Sequence, residues 1–146
     1  MYFGYFEHTL DDKGRLSLPR RIKEGLLENA SLYVLKGFEG CLSVYNEDEF
    51  NKLCLECEKI SFNHKNSRSY LRIMLGSVVQ LNIDKVGRIQ LPSQILNKYS
   101  IKKDVVILGV GDHFEIWDKE IYLAYEKEAN DNFEEIAEKM EEENGK

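Results

Sequence analysis

A ten-residue stretch that occurs twice constrains the fold of this chain more than any other feature. Leu10-Asp11-Asp12-Lys13-Gly14-Arg15-Leu16-Ser17-Leu18-Pro19 returns 73 positions later as Ile83-Asp84-Lys85-Val86-Gly87-Arg88-Ile89-Gln90-Leu91-Pro92. Aspartate, glycine, arginine and proline coincide, and aliphatic positions stay aliphatic. With one residue deleted the match resumes, Gly37–Tyr45 lying over Gly109–Trp117. Such self-similarity marks two copies of one supersecondary unit, neither able to bury its apolar face alone.

Each copy ends in helical sequence, so the halves are expected at 1–75 and 76–146. Two modules of about 70 residues are each too small for a comfortable core. No stretch rich in Gly, Pro or Ser separates them, which favours a single shared core.

Period and punctuation predict the local structure. Tyr5–Leu10 and Val79–Ile83 alternate apolar with polar residues, as strands with one buried face do. A turn follows in each half, where Gly14 and Gly87 can adopt positive φ and Asp11 and Asp84 suit the turn entrance. Leu16–Leu18 and Ile89–Leu91 resume the alternation, and Pro19 and Pro92 can open short helices. These helices are expected through Ile22, Leu26 and Leu27, and through Ile95, Leu96 and Tyr99. Strands at Leu32–Leu35 and Cys41–Tyr45, and at Val105–Leu108 and Phe114–Trp117, come next. Single terminal helices are expected over Glu47–Leu75 and from Lys119 to about Glu142, with Phe133, Ile136 and Met140 on one stripe.

The formal charge of −6 would ordinarily disfavour a polyanionic partner, but it is unevenly spread. Lys119–Lys146 carries ten acids and four bases, so the preceding residues balance. Lys13, Arg15, Arg20, Arg21 and Lys23 occupy eleven residues without an acid, the local asymmetry that phosphate binding requires. The odd number of cysteines, Cys41, Cys54 and Cys57, argues against a disulfide framework, and buried thiols are expected rather than a metal site. His8, His64 and His113 fall in unrelated contexts and no nucleophile motif or phosphate loop is present, so neither an enzyme nor a cofactor is expected. Neither a signal peptide nor a membrane span is read, which points to the cytoplasm.

The paired Asp-x-x-x-Arg turns, the opening Phe3-Gly4, Gly40-Cys41-Leu42 and Glu115-Ile116-Trp117-Asp118 together resemble the MraZ family over nearly the whole chain. The resemblance implies an α+β fold: a double-split β-barrel of two AbrB-like swapped-hairpin halves with surrounding α-helices. It also implies a nucleoid-associated transcriptional regulator that forms ring-like homo-oligomers on repeated boxes of double-stranded promoter DNA. Repression of its own promoter in the division and cell-wall gene cluster is implied as well. An antitoxin-like protein-binding module of the same superfamily is the alternative.

The resemblance carries DNA contact to the Asp11-x-x-x-Arg15 and Asp84-x-x-x-Arg88 turns, with Lys13 in support; Lys85 is a further candidate, and Arg20, Arg21 and Lys23 read equally well as phosphate contacts or as a solvated basic face. A planar guanidinium suits bidentate donation to guanine, which lysine cannot match. Asp11, Gly14, Asp84 and Gly87 are expected to shape the turns. The sequence departs from the family pattern at Leu96, where relatives often have arginine, so the second half is expected to hold phosphate less strongly. Phe50 and Tyr122 stand where the family has tryptophan.

Overall fold

The structure, a computed structural model, describes residues 1–145. Its first half contains β1 (Tyr2–Thr9), β2 (Arg15–Ser17), α1 (Arg20–Lys23), β3 (Ser31–Lys36), β4 (Leu42–Asn46), α2 (Glu47–Glu58) and α3 (Lys65–Gly76). The second repeats that order as β5 (Val79–Asn82), β6 (Arg88–Gln90), α4 (Ser93–Lys98), β7 (Asp104–Gly111), β8 (Phe114–Asp118), α5 (Lys119–Asp131) and α6 (Phe133–Asn144).

The strands pair across the halves. In the six-stranded antiparallel sheet, ordered β1-β7-β8-β4-β3-β5, the first strand of each half lies on the third strand of the other. β4 and β8 meet at the centre, Ser43 opposite Glu115. β2 and β6 form a separate two-stranded ribbon, Leu16 opposite Ile89. The mixed α/β composition matches expectation, but the hydrogen-bonded sheets are open, with β1 and β5 as edges, and no barrel is closed.

Alternation along the strands explains the core. Leu10, Leu16, Leu32 and Val44 of the first half pack with Ile83, Ile89, Phe114 and Ile116 of the second in one buried cluster. Each of these side chains contributes roughly 1.5–3 kcal/mol of burial, so residues from both halves stabilise the same interior. A smaller cluster joins Cys41, Val106, Trp117 and Tyr122, where burial pushes the Cys41 thiol up.

The repeat extends to the helix starts. Asn46 Oδ1 accepts from the Glu49 amide at 2.8 Å at the start of α2, and Asp118 Oδ2 accepts from the Ile121 amide at 3.5 Å at the start of α5. Both long terminal helices are interrupted, correcting the sequence expectation. The first breaks between Glu58 and Lys65, where the Ser61 hydroxyl accepts from the Asn63 amide and so competes with helical bonding. The second breaks at Asn132, whose side chain donates to the Glu128 carbonyl. α1 likewise stops before Leu26 and Leu27, because Gly25 turns the chain at φ 81°. No helix among the described residues is long and apolar enough to cross a membrane.

Candidate nucleic-acid interface

The two repeated turns have almost identical internal bonding. In the first, Asp11 Oδ1 accepts from the Lys13 and Arg15 amides, each at 2.9 Å, while Arg15 Nε donates to Asp11 Oδ2 at 2.6 Å. In the second, Asp84 Oδ1 accepts from the Val86 and Arg88 amides at 3.0 and 2.9 Å, and Arg88 Nε donates to Asp84 Oδ2 at 2.9 Å. The carboxylate thus closes the turn and fixes the arginine stem together. The Arg15 amide, followed by its guanidinium and the Lys13 amide, holds the Asp11 carboxyl below the usual aspartate value against some desolvation. The Arg88 and Val86 groups do the same for Asp84.

Each turn also clasps the other half. The Leu18 amide donates to the Gly87 carbonyl, and the Leu91 amide to the Gly14 carbonyl. Gly14 has φ 75°, and a Cβ there would lie 2.7 Å from the Leu91 carbonyl oxygen, so glycine is required for both conformation and approach.

On the ribbon, Arg15 lies opposite Gln90 and Ser17 opposite Arg88. Leu16 and Ile89 point into the core, so alternation directs Arg15, Ser17, Arg88 and Gln90 to the outer face. Neither arginine side chain is enclosed, the two being 33% and 31% exposed. Their Nη nitrogens have no protein acceptor among the described residues, leaving the end-on fork of each guanidinium available.

The supporting cations divide. Lys13, Lys85 and Arg20 are exposed near the ribbon ends, and the Lys13 carbonyl accepts from Gln90 Nε2 at 3.0 Å. Arg21 packs its guanidinium 4.7 Å from the centre of the Phe3 ring on β1, so its side chain is engaged by the protein. Lys23 lies against Gly87 of the opposite half, and Leu96 against Gly14. Leu96 thus neighbours the first turn and not the turn of its own half, where the sequence alone would place its effect. Gln90, Ser17 and this reach of Lys23 escaped the sequence reading. The match of Ile22 to Ile95 held the clue, since equivalent helices flanking an antiparallel pair of equivalent strands cover each other's turns.

The chain matches the family model for the MraZ protein, described as antitoxin-like, twice, over residues 1–73 and 74–144. It is 41% identical over 138 residues to the Transcriptional regulator MraZ of Mesoplasma florum, covering 94% of each chain. The proteins of that name from Ligilactobacillus salivarius and Caldanaerobacter subterraneus are 36% and 38% identical over 140 residues, covering 96% of each chain.

Proposed function

The chain belongs to the MraZ family, and on that premise we propose that it regulates transcription by laying the β2–β6 ribbon into the major groove of promoter DNA. The observation that carries this reading is the common outward face of Arg15 and Arg88 on a two-stranded ribbon. The major groove, about 12 Å wide, admits an element of that size, and a free guanidinium fork matches guanine O6 and N7. Asp11 and Asp84 act through the arginines and do not touch bases. Lys13, Lys85 and Arg20 supply sequence-independent phosphate contacts.

One ribbon offers a small footprint, so the protein acts as a homo-oligomer on repeated boxes, where linked contacts raise effective concentration. The final helices of the two halves support self-association. α3 carries Lys65, Arg68 and Arg72 with no acid, beside an apolar groove of about 430 Å³ lined by Phe38, Leu53, Tyr70 and Ile73. α6 carries six glutamates and one lysine, and exposes Phe133, Ile136 and Met140. Opposite charge on two surfaces of one chain favours a head-to-tail contact, which closes into a ring when the rotation allows. In this reading the protein is cytoplasmic and nucleoid-associated, and represses its own promoter. The helical C-terminal segment suits this reading better than an antitoxin with an unstructured arm.

Titration of a labelled duplex from the protein's own upstream region, against a scrambled duplex of equal length, tests the reading. Wild type should prefer the upstream duplex, and Arg15→Ala with Arg88→Ala should remove that preference. Equal binding of both duplexes by wild type would refute it.

A further inference from the structure

The two turns are nearly superposable in bonding but unequal in charge. Asp11–Arg15 contains two acids and two bases, whereas Asp84–Arg88 contains one acid and two bases. Val86 stands where the first turn has Lys13, and Lys85 where it has Asp12. The crossed helices widen the difference. A Cβ on Gly87 would lie 2.7 Å from Lys23 Nζ and 3.0 Å from its Cδ, so the lysine lies flat across the second turn. The equivalent neighbour of Gly14 is the Leu96 Cδ1 methyl, 3.4 Å from such a Cβ.

Lys23 is partly buried, yet among the described residues its ammonium takes part in no ion pair. No side-chain hydrogen bond among them involves it, and the one acid of the turn it covers is already engaged by Arg88 and two amides. The second turn, with one acid and two bases, thus gains a further cation lying against Gly87, and this excess of positive charge attracts an anion.

We infer that Lys23, supplied by the first half, completes an anion site on the second turn and makes that turn the principal anchor for a backbone phosphate of duplex DNA. The first turn, neutral in sum and neighboured by Leu96, contributes Arg15 and Lys13 with the weaker phosphate grip of the two. Lys23 is a positioning contact: it fixes the register of the second turn on the duplex and carries no base preference of its own. The inference rests on the DNA reading above.

The test is an anisotropy titration of the full chain over a salt series, on the upstream and scrambled duplexes. Lys23→Gln should weaken both by roughly threefold to tenfold and flatten the salt slope by about one per engaged subunit, leaving the preference ratio unchanged. Lys23→Arg should retain the wild-type slope. Leu96→Lys should steepen the slope by about one per subunit, by giving the first turn what the second has. Wild-type affinity and slope in Lys23→Gln, alongside impaired binding by Arg88→Ala, would overturn this inference alone. Absence of wild-type binding to either duplex would overturn it together with the DNA reading. If Lys23→Gln does not fold, the Leu96→Lys arm decides, an unchanged slope being the contrary result.

Discussion

Arg15 and Arg88 occupy diagonal positions on the outer face of one antiparallel ribbon, Arg15 opposite Gln90 and Arg88 opposite Ser17. Diagonal neighbours of this kind stand roughly 7–8 Å apart at the backbone, close to two base-pair steps of about 3.4 Å each. The relationship requires both halves, because each arginine comes from a different copy of the repeat and the ribbon exists only when the copies pair.

The glycines of the two turns should differ in their tolerance of a side chain. Alanine at either position meets the cost of positive φ, but at Gly14 it also meets a backbone carbonyl, whereas at Gly87 it meets the movable end of Lys23. Urea denaturation is expected to show a loss of about 1 kcal/mol for Gly87→Ala and about 3 kcal/mol for Gly14→Ala. Equal losses would mean that the Leu91 carbonyl moves away freely.

Much of this arrangement was legible in the amino-acid order because the features concerned are local. The Asp-x-x-Gly-Arg turns, the alternating strands around Leu16 and Ile89 and the helix starts at Glu47 and Lys119 each declare themselves within a few residues. Strand partners do not. Nothing near Tyr2 specifies that it faces Gly111, and β7 extends to Gly111 because β1 lies beside it. The interruptions at Ser61 and Asn132 were hidden because polar side chains that compete with helical bonding also occur on exposed helix faces. The basic run marks Lys23 as a cation but not where it lies, since its neighbour at Gly87 is fixed only by the crossed halves.

The aspartates give the turns a defined acid response. Both folded carboxyls titrate below the ordinary value of 3.8, held there chiefly by the Arg15 and Arg88 amides. A depressed folded pKa contributes stability that is complete above the unfolded value and is lost as pH falls through the folded one. The Nε–H resonances of Arg15 and Arg88 should therefore titrate with midpoints below the ordinary aspartate value of 3.8. Midpoints at or above 3.8 would contradict the bonding described.

Removing α6 should separate assembly from folding. α6 contributes no residue to the buried clusters, so truncation after Asn132 should leave the melting temperature within a few degrees of the full chain. Light scattering should show a smaller assembly, with upstream-duplex affinity lowered at least tenfold through lost multivalency. An unchanged assembly would remove α6 from the subunit contact.

Replacing Arg15 and Arg88 together by lysine keeps the charge of the ribbon while removing the planar fork, and so separates base readout from phosphate attraction. Affinity for the upstream and scrambled duplexes would be measured at one salt concentration and then across a series. The ratio of the two affinities should collapse towards one while binding to the scrambled duplex and the salt slope stay close to wild type. A ratio preserved in the double lysine variant would show that the ribbon arginines do not read the bases.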